Sequence, residues 1–172
     1  TAGGDLTLTN TAGTATIQGA SGIVAAQSGG AKTGTITINT AGTTTGSAGD
    51  GIRATSDSSG TIAVTAVAVT GTGGNGVFAD TTGGGAINVA TSGAVSGTNG
   101  FGINATSAGG NGNVKVDATG TVAGSTTGIN ATAVGTGTVI VTATKAVTGT
   151  AGNGINATTA NGQIDVTAGE LV

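Results

Sequence analysis

Seven carboxylates hold most of the reactive chemistry in this sequence: Asp5, Asp50, Asp57, Asp80, Asp117, Asp165 and Glu170. There is no His and no Cys, so the commonest general base and the most reactive nucleophile are missing. Two carboxylates at a suitable separation can still act as acid and base, and some parallel β-helices cleave acidic polysaccharides with clustered Asp, Lys and Arg. Asp50 and Asp57 flank one short apolar segment and are the pair that a corner would bring together. Both also sit beside Gly and Ser, where Asp is an ordinary turn residue, and the turn reading is preferred. The other carboxylates, and the cations Lys32, Arg53, Lys115 and Lys145, are scattered along the chain.

Binding chemistry is equally sparse. Gly73-Gly74-Asn75-Gly76-Val77-Phe78-Ala79-Asp80 resembles a calcium-binding nonapeptide, but its Asp is displaced and the unit does not recur. Gly83-Gly84-Gly85 lacks the Lys-Ser/Thr of a phosphate loop. Asn104, Asn130 and Asn156 each open an Asn-Ala-Thr triplet, the acceptor pattern for N-glycosylation. Their even spacing favours a ladder of stacked carboxamides instead. Thr-x-Thr pairs such as Thr7/Thr9 and Thr35/Thr37 suggest an ice-binding array, yet Lys115, Asp117 and Asp165 interrupt the series. Lys115 and Asp165 fall in one column with Ile140 between them, too far apart to pair. Phe78 and Phe101, the only aromatics, form no sugar-stacking platform. No catalytic, cofactor-binding or metal-ligating residue is assigned, and no cofactor is expected. A net charge of −3 without a basic stripe argues against nucleic acid. No apolar run is long enough to span a bilayer, and no signal peptide opens this stretch. The absence of Cys is compatible with export without disulfides.

What positions these residues is a repeat. Gly-Ile-x-Ala or a close variant begins at Gly22, Gly51, Gly76, Gly102, Gly128 and Gly154, giving spacings of 29, 25, 26, 26 and 26. Each is followed by an alternating Ile-x-Val piece and then by a third piece ending in Gly, such as Val95-Ser96-Gly97. Alternation of β-branched residues reads as strand, and no window shows a helical stripe. Only 6% of the 172 residues are charged and the mean hydropathy is positive, which argues against a disordered Gly/Thr/Ala tail.

The expected fold is all-β: a single parallel β-solenoid over residues 1–172, with three short strands per coil, about 26 residues per coil and six to seven coils. Uneven corners and the lack of a hexapeptide rhythm favour the right-handed form. Three inward columns follow: Ile23, Ile52, Val77, Ile103, Ile129, Ile155; Ile36, Ile62, Ile87, Val114, Val139, Ile164; and Ile38, Val64, Val89, Val116, Val141, Val166. The corners fall at pairs such as Asp50-Gly51 and Asn75-Gly76, which accept positive φ. Ile17 and Leu171 are read as third-strand residues at the two ends. Thr44 stands at a third-strand position where its neighbours have Val, so its coil should be the least well packed. The chain starts and stops inside a repeat, so either more coils flank it or its uncapped ends stack on another copy.

The repeated Gly-Ile-x-Ala … Gly-x-Ile-x-Val … Val-x-Gly pattern, from Leu6 to Val172, resembles the passenger regions of Gram-negative autotransporters and related large secreted adhesins. That resemblance implies a right-handed β-helix, export through a C-terminal membrane barrel, and display on or release from the cell surface. It implies adhesive partners, host or cell-surface glycans or proteins, and an extracellular or outer-membrane location. Passenger enzymes keep their catalytic parts on separate domains or inserted loops; no such insertion is read here, and no functional residue transfers. The expected role is therefore a non-enzymatic stalk. The alternatives are an end-to-end filament or surface-layer subunit and, below these, a polysaccharide-acting enzyme or an ice binder.

Overall fold

A computed structural model describes residues 4–29 and 33–169. Lys32, Glu170 and the third-strand reading of Leu171 lie outside the described residues. The chain enters through β1 (Leu6–Asn10) and β2 (Thr16–Gly19), then winds coil after coil. β3 (Ile23–Gln27) leads to β4 (Ile36–Gly46), and β5 (Ile52–Ser56) to β6 (Ile62–Gly71). Then come β7 (Val77–Thr81), β8 (Ile87–Thr91) and β9 (Val95–Gly97), followed by β10 (Ile103–Ser107), β11 (Val114–Ala118) and β12 (Val122–Gly124). The next coil is β13 (Ile129–Ala133), β14 (Val139–Ala143) and β15 (Val147–Gly149); β16 (Ile155–Thr159) and β17 (Ile164–Ala168) belong to the last.

Every strand pairs in parallel with its equivalent one coil away, so the molecule is a β-solenoid of about six coils. One six-stranded sheet stacks β3, β5, β7, β10, β13 and β16; the second- and third-strand pieces share an eleven-stranded sheet. The repeating step is visible in single bonds. The amides of Ile52, Val77 and Ile103 donate to the carbonyls of Gly76, Gly102 and Gly128, each at 2.9 Å.

All three expected inward columns form in register. Ile36, Ile52, Ile62, Ile87, Ile103 and Ile129 are fully buried. Each such side chain contributes about 1.5–3 kcal/mol. The alanine of each Gly-Ile-x-Ala also turns inward, from Ala25 to Ala131. Where the first strand ends, a hydroxyl often replaces the aliphatic group and serves the corner. Thr81 donates to the Ser58 carbonyl, Ser107 to that of Gly85 and Thr159 to that of Gly137, at 3.1, 3.1 and 2.9 Å. At the two edges the apolar columns are open: Leu6 is 39% exposed, Ile164 45% and Val166 42%.

Two details differ from the sequence reading. The coil does not always break into three strands. β4 and β6 run through the bend as single strands, with a register shift between Thr40 and Thr43. In β6 only Val67 and Ala68 separate the two inward runs, too few for a turn; β4 runs through although its Ala41-Gly42-Thr43 is as long as the Ser92-Gly93-Ala94 at which pairing breaks in the next coils. Nor do the repeat glycines or the Asn and Asp before them adopt positive φ; among the described residues Gly29, Gly84, Gly110 and Gly135 do. The repeat glycines are needed for close approach instead. A Cβ on Gly51 would lie 2.5 Å from Val69 Cγ1 and 2.8 Å from the Gly76 carbonyl oxygen.

Candidate functional site

The outer face of the six-stranded sheet gathers the most distinctive polar chemistry of the molecule. Alternation along each strand puts two residues per coil outward, and parallel register stacks them into two columns. One reads Val24, Arg53, Phe78, Asn104, Asn130, Asn156; beside it run Ala26, Thr55, Asp80, Thr106, Thr132, Thr158.

At the C-terminal end of this face the expected carboxamide ladder is present. Asn156 Nδ2 donates to Asn130 Oδ1 at 2.7 Å, and Asn130 Nδ2 to Asn104 Oδ1 at 2.8 Å. Thr106 adds a hydroxyl bond to Asn104 Oδ1 at 3.3 Å. Strand register holds these side chains one coil apart, roughly 4.8 Å, which is the separation a carboxamide bond needs.

Toward the N-terminal end the same column holds a charged cluster. The Arg53 guanidinium lies 4.4 Å from the centroid of the Phe78 ring and 3.2 Å from Asp50 Oδ2. Asp50 is only 9% exposed, and its Oδ1 accepts both the Asn75 amide at 2.8 Å and Asn75 Nδ2 at 2.9 Å. Asn75 Oδ1 accepts the Phe101 amide one coil further, at 2.9 Å. Asp50, Asn75 and Phe101 each precede a repeat glycine, so a second polar ladder climbs this corner. Asp80 faces out beside Phe78. Partial burial pushes its carboxyl above the usual range, and the nearby Arg53 charge opposes that shift.

This geometry separates the candidate acid–base pair. Asp50 and Asp57 sit at opposite ends of β5, and Asp57 accepts the Gly29 amide at 2.7 Å across its own corner. Both carboxylates thus serve corners. Asp5 does the same for the Thr35 amide at 2.8 Å. On the opposite sheet Lys115, Ile140 and Asp165 share a column as expected, and Lys115 pairs with Asp117 at 2.7 Å. The sequence reading missed that partner, although i and i+2 share one face of a strand. Register also redraws the candidate ice array. Thr7 and Thr37 align with Ala63, Asn88, Lys115, Ile140 and Asp165, so charges and an aliphatic residue break the face.

Among the described residues no three His, Cys, Asp or Glu side chains converge. A shallow notch of about 160 Å³ opens near Thr65, Ala90, Thr91 and Asp117, where the bends of neighbouring coils differ in length. Its carboxylate is the one already engaged by Lys115. Among the described residues no helix is long and apolar enough to cross a membrane. The Arg53–Phe78 stack and the Asp50–Asn75 corner ladder were not anticipated from the sequence. The signal for both was a spacing of 25 residues, one coil, between groups that do not resemble each other. No protein-family model, curated protein or solved structure matches the chain.

Proposed function

We propose that this chain is a structural rod of a bacterial cell-surface or secreted protein, of the kind its repeats resemble in autotransporter passengers and large adhesins. It performs no catalysis; it holds its faces, or other parts, out for adhesion to surface glycans or proteins. The observation behind this reading is that parallel pairing and the first- and second-strand aliphatic columns run without interruption from β3 to β16, while the outward column beside them passes from Val24 through Arg53 and Phe78 to a run of Asn. The resources of the sequence go into a continuous axis. The test is to display the chain on Gram-negative cells through a fused outer-membrane barrel, with an epitope at its N-terminal end. Antibody access to the epitope, together with survival of the rod under external protease, supports the proposal. Retention in the periplasm or rapid degradation argues against it.

A second reading, an end-to-end filament of copies, draws support from the parallel register, which offers the same strand pairing at every coil boundary. Electron micrographs of the purified chain decide it. Rods many times longer than one copy favour it, and a monodisperse monomer by light scattering removes it.

A further inference from the structure

We infer that the outer strip from Arg53 to Asn104 binds a carboxylated saccharide, with the sugar carboxylate on the Arg53 guanidinium. This rests on the adhesive reading above and names its ligand class. Two N–H donors of unlike origin face the strip. The first is Arg53. Its Nη1 meets Asp50 Oδ2 at 3.2 Å, and its Nη2 and Nε have no partner among the described residues. The guanidinium is nevertheless fixed. It rests 4.4 Å from the Phe78 centroid and is tethered to a carboxylate that Asn75 holds with two bonds. The side chain stays 44% exposed, so a planar fork of donors is held ready in solvent.

The second donor belongs to the carboxamide ladder. Asn156 donates to Asn130 and Asn130 to Asn104, so the row has a direction. Asn104 Oδ1 accepts from Asn130 and Thr106, and the planar amide therefore turns its Nδ2 toward Phe78. No described residue accepts that Nδ2. Bonds in a head-to-tail row polarise one another, so its open N–H end is a strengthened donor. Arg53 and Asn104 lie two coils apart, roughly 10 Å, with Phe78 between them. One sugar ring spans that gap, its carboxylate on Arg53 and a ring hydroxyl on Asn104. Thr55 and Thr106 add hydroxyls in the adjoining column. Val24 precedes Arg53 in its column and Asn130 follows Asn104, so the strip lies inside the stack. Asp80, between Thr55 and Thr106, opposes an anion, and its partial burial eases protonation. β5 sets Arg53 near Asp80, with Asp50 before that strand and Asp57 after it; β10 brings no titratable group. Protonating Asp80 removes its opposition, so binding tightens on mild acidification.

The experiment titrates the folded chain with oligogalacturonate and with its neutral methyl ester, followed by amide NMR shifts. The acidic sugar is expected to bind, with shifts centred on Arg53, Phe78 and Asn104. The ester should bind at least about tenfold more weakly, because a charge-assisted bond is lost. Arg53→Gln should weaken the acidic sugar by about the same factor, with an unchanged strand signal in circular dichroism. Asp80→Asn should bind more tightly than the parent near neutral pH and lose the parent's gain in mild acid. Equal binding of acid and ester by the unaltered chain overturns the inference, however the variants fold. So does an absence of binding, or a glutamate-rich peptide bound as tightly as the sugar. The rod reading is tested separately, by display and protease survival, and stands or falls without these titrations.

Discussion

Thr44 stands in a column otherwise filled by Ile17, Val69, Val95, Val122 and Val147. It is fully buried and its hydroxyl has no partner among the described residues. A buried hydroxyl left without a bond costs about 1–3 kcal/mol. Thr44→Val keeps the shape and removes the hydroxyl, so it should raise stability by about 1–2 kcal/mol in chemical denaturation. That weak point was legible in the sequence because one column had one misfit. Asp80 was not legible in this way, since its environment depends on which residues arrive beside it from neighbouring coils. Its raised carboxyl means that the folded chain holds the proton more tightly than the unfolded chain does. Its contribution to stability is therefore fully present below the ordinary carboxylate range, and it is lost as pH rises through the raised value. Asp80→Asn should be slightly more stable than the parent near neutral pH, with the gap closing on acidification. Thermal melts at several pH values check this, and a gap that widens in acid contradicts it.

At the scale of strands, the Asn column tests whether a ladder stabilises the sheet beneath it. Asn130 makes two ladder bonds and Asn156 one. Asn130→Ala should then cost about 1–3 kcal/mol and Asn156→Ala about half as much, read from denaturation midpoints. Equal costs would mean that the amides are solvated rather than coupled. The ladder was readable because identical residues recur at 26, the coil length. The inward columns were readable for the same reason, reinforced by strand alternation: a slip of one residue would turn every aliphatic group to solvent. The stack of Arg53 on Phe78 joins unlike groups, and no repetition announces it. The fusion of second and third strands in β4 and β6 was hidden too. In β6 the bend is one residue shorter than in later coils, but β4 runs through with the same eight-residue step from Ile36 to Thr44 that Ile87 to Val95 takes across a break, and Gly/Thr/Ala composition does not distinguish a turn from a bent strand.

For the whole molecule, periodicity makes each coil exchangeable. Deleting Ile103 to Gly128 removes one repeat and joins Gly102 to Ile129, leaving every remaining column in register. The shortened chain should fold with unchanged strand signal by circular dichroism and a lower melting temperature, because one neighbour interface is lost. The bonds from the amides of Ile52, Val77 and Ile103 to the next coil have a further consequence. They point along the rod, so tension applied between its ends loads one coil boundary at a time and not the whole sheet in shear. Such a rod yields in steps. Each released coil of about 26 residues lets out roughly 85 Å of slack at about 3.3 Å per residue. Coils still seated keep their shape, so under load the molecule would act as a graduated shock absorber whose increments are written in its repeat length.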